Sequence, residues 1–299
     1  MTPTTQHDRP SSPMATLALR LGALAGLLGL AAWALRRPLG DIVHVGFNVE
    51  EQSHIILAPI VMGVLIFLRR ERFAGMQFTS ASWVGPALVI GGWFLSAWGY
   101  RDAVIIAWHG GAVMVLLGVV ISTLGPQLLM RFPAAFCVLF FMLPVPASIR
   151  HRIALPMQRM AASVTEWSLD IMGVAVERNG SILTINGEQV AVGEACNGMR
   201  MVFALTLVAY AFVFSVQLRP AVRLSLLILS PLIALLCNVI RLIPTSLFFG
   251  FGTTEAAEAF HDLAGWVMLP IALGLFFGIL KLLEWLEIPV EPLPRLRTT

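Results

Sequence analysis

Charge is what this chain has least of. Only 12% of its 299 residues are Asp, Glu, Lys or Arg, while 58% are hydrophobic. A soluble globular chain carries about a quarter charged residues, so the shortfall excludes an ordinary soluble domain. A mean hydropathy of +0.82 agrees. The length therefore counts membrane spans and not soluble domains. The net charge of +3 is too small to argue for nucleic acid as a partner. The basic residues are better read through the bias of Lys and Arg toward cytoplasmic loops.

Cysteine is nearly as scarce. Cys137, Cys196 and Cys237 are the three present, and their odd number and wide spacing give neither a disulfide framework nor a zinc pattern. Cys137 and Cys237 lie in apolar runs and read as small buried hydrophobes. The chain has no His-Glu-x-x-His, no P-loop, no dinucleotide fingerprint, no Gly-x-Ser-Gly of rhomboid type and no internal repeat. Glu50-Glu51 is similar to the Glu-Glu motif of prenyl-protein proteases, but the Arg three residues beyond that motif is missing. Neither metal nor cofactor is expected.

What the chain has is apolar runs. A bilayer core takes about 20 helical residues. Windows of that kind fall near 17–35, 55–69, 83–99, 103–123, 132–146, 197–216, 222–243 and 263–284. They predict an all-α polytopic membrane protein of about eight spans. The run from Leu21 to Leu35 also resembles a signal-peptide core, with Ala32-Trp33-Ala34 as a poor cleavage site, but Arg36-Arg37 just beyond it favours an uncleaved span. The basic knot Arg69-Arg70-Glu71-Arg72 reads as cytoplasmic. Alternation then puts 36–54, 100–102, 144–196 and 244–262 outside, and both termini inside. Arg36, Arg37 and Arg101 run against that rule.

Five regions follow. Residues 1–14 read as a disordered cytoplasmic tail and 15–146 as N-terminal spans. Residues 147–195 form an exterior segment, 196–285 hold the spans with the reactive groups, and 286–299 form a second cytoplasmic tail. In the exterior segment Ile153, Met157, Met160, Val164, Trp167 and Ile171 recur at steps of four and three, apart from Arg159, Ser163, Glu166 and Asp170. That pattern predicts an amphipathic helix, lying in the membrane interface or packed on the bundle. Asn179-Gly180 and Asn186-Gly187 between short alternating runs predict two hairpin turns and a small β-meander.

The meander leads into Glu194-Ala195-Cys196-Asn197-Gly198-Met199-Arg200, and an apolar run follows. A cysteine at a helix start is favoured as thiolate by unpaired backbone N–H groups. Arg200, one turn on, is placed to hold it or to pair with Glu194. The bland alternative is a small cysteine in a helix cap. Asn238 and Arg241 share a face in the seventh window, where an ionisable group is costly and points to function; snorkelling to the interface is the alternative. His261, beside Asp262, precedes the eighth window and suits a general base, or is a solvated loop histidine. The topology brings Cys196, Arg241 and His261 to one face on successive helices. Acyl transfer asks for that set of nucleophile, proton carrier and charge stabiliser.

In order along the chain, Phe141-Met142-Leu143-Pro144-Val145-Pro146, Leu155-Pro156-Met157-Gln158, Glu194 to Arg200, Asn238-Val239-Ile240-Arg241 and His261-Asp262-Leu263-Ala264-Gly265 resemble the exosortase/archaeosortase family. The resemblance covers about half the chain, from the fifth window to the eighth. It implies a multi-spanning cysteine protease or transpeptidase, with Cys196, Arg241 and His261 as its catalytic cysteine, arginine and histidine. Glu194, Asn197, Arg200, Asn238 and Asp262 would support them or the substrate. Asn197 stands where the family often has Ser. The implied partners are membrane-anchored proteins bearing a C-terminal sorting signal of Pro-Glu-Pro (PEP-CTERM) type. The implied place is the bacterial cytoplasmic (inner) membrane, with the site on the outer face. The competing reading is a transporter or scaffold of a protein or exopolysaccharide export system. It accounts for the spans and Arg241, but gives no reason for Cys196 beside an arginine.

Overall fold

In a bilayer the backbone has no water to bond, so an apolar run folds as helix and satisfies itself. The computed structural model describes residues 13–76, 83–192 and 199–285. For 13–17, Thr254, His261, Asp262, Gly265, Trp266, Leu269 and Glu284 it describes the backbone alone. The helices in order are α1 (Pro13–Ala34), α2 (Arg36–Asn48), α3 (His54–Leu68), α4 (Val84–Arg101), α5 (Ile105–Leu124), α6 (Gln127–Arg131) and α7 (Pro133–Cys137). Then come α8 (Ala147–Ile171), strands β1 (Val176–Asn179), β2 (Ile182–Ile185) and β3 (Glu188–Ala191), and helices α9 (Met199–Ser215), α10 (Pro220–Phe251) and α11 (Thr254–Trp285).

Within the described residues seven of the eight expected windows fall mainly on α-helix, and the window 132–146 holds only α7 and a 3-10 stretch, Val138–Met142. Among the described residues, three stretches are long and apolar enough to cross a membrane: Glu50–Leu68, Ile105–Leu124 and Pro220–Phe251. Two bent pairs raise the number to as many as five: Ala18–Ala34 with Arg36–Asn48, bent by 81°, and Pro133–Met142 with Ala147–Ile171, bent by 91°. Met199–Ser215 and Pro270–Leu283 are apolar but shorter. The expected fifth span is thus a short helical piece that turns sharply. Pro144 and Pro146 lie at the bend, and proline supplies no N–H to carry a helix onward.

The chain divides into two compact units. The first comprises residues 1–42 and 69–136. Its centre is the α4–α5 hairpin, which closes on a seam of glycines. Gly85, Gly92 and Gly99 fall seven apart on α4; Gly111 and Gly118 fall seven apart on α5. A Cβ at Gly92 would meet the carbonyl oxygen of Gly111, and one at Gly118 the backbone nitrogen of Val89. Lipid offers no hydrophobic drive between helices, so close backbone approach through small residues supplies the attraction. Ser96 adds a tie, its hydroxyl donating to the Trp108 carbonyl at 2.8 Å. His109, fully buried, has Nε2 2.9 Å from Asp41 Oδ2, within ion-pair range though not aligned as a hydrogen bond.

The second unit comprises residues 43–68 and 137–299. Helices α9, α10 and α11 share a core that includes Leu205, Ala209, Ile233, Cys237, Ala272 and Phe276. The sheet is antiparallel in the order β1-β2-β3. Its alternate residues Leu183 and Val190, with Val192 after β3, pack on Ala161 and Ala162 of α8 and on Val239 and Leu242 of α10. The second turn is Asn186-Gly187, with φ of 52° and 85°, as a type I′ turn requires. The first differs from expectation by one residue. Asn179 pairs with Ile182, so the loop is Gly180-Ser181. Only Gly180 has positive φ there, 65°, which suits a turn needing glycine at its first central position alone.

Helix α8 has three faces. Ala154, Gln158, Ala161, Thr165 and Leu169 are buried. Ile153, Met160, Val164, Trp167 and Ile171 are exposed. Arg152, Arg159, Ser163 and Asp170 form a polar stripe between them. One side is therefore packed on the protein, and a separate apolar side is left exposed.

The expected exterior connection 244–262 is corrected. Helix α10 continues through Pro244 to Phe251, and α11 begins at Thr254. Proline is tolerated inside a membrane helix when neighbours satisfy the freed groups. The hydroxyl of Thr253 accepts the Ala256 N–H at 3.3 Å and starts the next helix.

The glycine seam is testable. Gly111→Ile should destabilise the purified chain in detergent by about 1–3 kcal/mol of overpacking, read as a lower thermal midpoint. Gly110→Ile, where a Cβ meets nothing within 4 Å, should leave it nearly unchanged. Equal losses would show that the seam does not set the packing.

Candidate functional site

Of the expected residues, Glu194, Cys196 and Asn197 lie at 193–198, outside the described residues. Both flanks of that segment are anchored. Val192 is 1% exposed and its N–H donates to the Ser181 carbonyl at 2.8 Å. Met199, which opens α9, is also 1% exposed.

Arg241 sits on α10 between Val239 and Leu242, the two residues on which the sheet packs. It is 6% exposed and Asn238 is fully buried. One turn apart on the same face, they are joined by a hydrogen bond from Arg241 Nη2 to Asn238 Oδ1 at 2.9 Å. Snorkelling is therefore not what places this arginine: its guanidinium lies inside the protein. The Arg241 carbonyl accepts a 2.7 Å hydrogen bond from Thr245 Oγ1, which steadies the turn ahead of Pro244.

His261 and Asp262 occupy the eighth and ninth positions of α11, so they lie on a helix and not in a loop. Their side chains lie outside the described residues. The backbone still fixes their level. At a rise of about 1.5 Å per residue, Arg241 stands about 15 Å before the end of α10 and His261 about 10 Å past the start of α11. In an antiparallel hairpin the two levels agree to within about 5 Å. Met199, at the far end of α9 from the α9–α10 connection, stands within about 8 Å of the Arg241 level by the same rise.

Arg200 is half exposed, and its Nη1 lies 3.5 Å from Oε2 of Glu50. That contact was not expected, and a group of further residues surrounds it. Residues Glu50–Gln52 form a 3-10 turn ahead of α3. Glu51 makes an ion pair with Arg150 on α8, both side chains largely buried. Gln52 Oε1 accepts the Val145 N–H at 2.6 Å. His54, 3% exposed, stacks on Phe203 of α9 at 4.8 Å between ring centroids and meets Phe141 edge-on at 6.5 Å. The turn thus ties the start of α8 to the start of α9, the helix that follows Cys196. Sequence reading noticed Glu50-Glu51 as a motif and missed their partners, because those lie about a hundred residues away and leave no periodic signal.

Among the described residues, no three His, Cys, Asp or Glu side chains gather as a metal ion would need. The polar groups that are gathered on α10, a buried guanidinium and an amide beside it, can hold an anion or a polarised carbonyl.

No curated protein and no solved structure gives a significant match to the chain. The family model described as transmembrane exosortase (Exosortase_EpsH) matches residues 46–278. That span takes in the 3-10 turn, α8, the sheet, the segment with Cys196, and the residues Asn238, Arg241 and His261. With well over half of its length matched, this membrane protein belongs to the transmembrane exosortase family.

Proposed function

We propose that this exosortase is a membrane cysteine peptidase or transpeptidase that cleaves the C-terminal sorting signal of exported proteins. The substrate is anchored by its own C-terminal helix, and a recognition motif of Pro-Glu-Pro type precedes that helix. The site faces the exterior of the bacterial inner membrane. The observation that carries the reading is the buried Arg241–Asn238 pair on α10, held at the level of His261 on α11 and near the start of α9. A cation kept inside an apolar bundle is a functional residue by default.

The steps follow from the residue types. The thiolate of Cys196 attacks the scissile carbonyl, and the thiol proton goes to His261. The guanidinium of Arg241 steadies the oxyanion, which Asn238 helps by fixing the guanidinium in place. The C–N bond then breaks. His261 gives its proton to the leaving amine, and the acyl group remains on Cys196 as a thioester. Water or an acceptor amine resolves the thioester; the same residues serve both outcomes. Arg200, Asn197 and Glu194 neighbour Cys196 in sequence and would support the substrate, and Asp262 sits beside the histidine in sequence. The 3-10 turn at Glu50–Gln52 braces the start of α9.

Cys196→Ala should leave the C-terminal helix attached to the precursor in cells, as seen on immunoblots. Cys137→Ala and Cys237→Ala should process it normally. Normal processing by the Cys196 variant ends the nucleophile assignment.

Arg241→Lys keeps the charge but loses the planar fork. It should slow single-turnover cleavage in proteoliposomes by about 10²-fold, the scale of one lost oxyanion donor. Asn238→Ala should cost about tenfold, the worth of one hydrogen bond to a charged group. A lysine variant as fast as wild type would show that Arg241 acts only as a diffuse charge.

A further inference from the structure

In the first unit a cavity of about 360 Å³ lies at the elbow where α1 turns into α2. None of the site residues above lines it. Its size is within the range of small-ligand pockets. One wall is a face of α4, carrying Trp93, Ser96 and Tyr100, and Trp108 of α5 closes the side. Ser96 is buried, and its hydroxyl is committed to the Trp108 carbonyl. The rim is Arg36 and Arg37.

Among the described residues, no carboxylate pairs with either arginine. Arg36 donates to the Trp33 carbonyl at 3.4 Å and lies 5.5 Å over the Trp33 ring. Arg37 makes no hydrogen bond or ion pair among the described residues. Two acidic groups of the first unit are taken: Asp41 lies 2.9 Å from His109, and Asp102 bonds Arg101 at 2.9 Å. Neither carboxylate lines the cavity. Two adjacent like charges repel, and at the start of α2 they also oppose the helix dipole. The Trp33 contacts offset part of that cost for Arg36; a bound anion would offset it for both arginines.

The surroundings say what kind of anion. The elbow lies beside the end of the α4–α5 hairpin, where both helices stop at Arg101 to Val104. Trp33, Trp93, Trp98 and Tyr100 are exposed at this end. Exposed Trp and Tyr at a helix end mark the membrane–water boundary. A ligand there has its charged part at the arginines and its apolar part in the bilayer. Guanidinium forks match phosphate oxygens, and the indole and phenol rings suit the ester and first methylene region.

We propose that the α1–α2 elbow is a binding site for the headgroup of an anionic phospholipid, its phosphate held by Arg36 and Arg37 and its acyl chains left in the bilayer. The proposal does not rest on the protease reading. The shared chemistry is phosphate, and the test separates lipid from free ion.

The full chain, purified in a neutral detergent, is titrated with dioleoyl-phosphatidylglycerol, with dioleoyl-phosphatidylcholine and with inorganic phosphate. Bound lipid is counted by native mass spectrometry. Wild type should hold one phosphatidylglycerol, which phosphatidylcholine does not displace and inorganic phosphate does not mimic. R36Q/R37Q should bind it about tenfold or more weakly, as loss of charge-assisted bonds implies. R152Q/R159Q removes the same charge from α8 and should bind as wild type. Equal binding of phosphatidylcholine by wild type overturns the proposal without any variant, so poor folding of R36Q/R37Q does not shield it. Saturation by inorganic phosphate at the same concentrations, or undiminished lipid binding by R36Q/R37Q, overturns it too.

Discussion

The structure of the second unit depends on keeping one guanidinium inside an apolar bundle. A lone arginine at the centre of a membrane helix costs about 2.5–3.5 kcal/mol on insertion scales. Arg241 meets that cost with local means. Asn238, one turn earlier, offers its side-chain oxygen at 2.9 Å. The three-stranded sheet covers the same stretch of α10 through Val239 and Leu242. Asn186 Nδ2 donates to the Gly250 carbonyl at 3.2 Å and fixes the sheet further along that helix. The sheet is therefore more than a connection. It contributes to the burial that leaves Arg241 6% exposed.

The helices and turns were legible in the sequence because they rest on local rules. Most apolar runs, the Asn186-Gly187 turn and the three-and-four spacing of α8 carry their own structure, while the first turn falls one residue later than Asn179-Gly180. Arg241 with Asn238 was also legible, since three-residue spacing on a helix brings side chains together. What escaped was non-local. The Glu51–Arg150 pair and the Gln52–Val145 bond join positions 99 and 93 apart, and no pattern within either segment announces the other. The length of α10 escaped for a different reason. The seventh apolar window ends at 243, and a membrane helix runs on through Pro244 when its neighbours satisfy the backbone. Cys196 stands apart from both cases: its assignment rests on sequence and family membership, with its anchored flanks as the structural context.

The two units use different means of cohesion. In the first, bare backbones meet along glycines, with few large buried side chains at the seam. In the second, large side chains such as Leu205, Leu242 and Phe276 fill the space between helices. The polar pairs Arg241–Asn238 and Glu51–Arg150 both belong to the second unit, and the family match covers most of it.

The central claim is that the sulfur of Cys196 takes the acyl group while the groups on α10 and α11 handle charge and proton. Acid-quenched single-turnover reactions with a sorting-signal substrate, followed by peptide mapping, test it most directly. A hydroxylamine-sensitive thioester should appear on the peptide containing Cys196, and nowhere else. It should not form in Arg241→Ala. Cleavage that proceeds with no adduct, or an adduct on Cys137 or Cys237, would contradict the account.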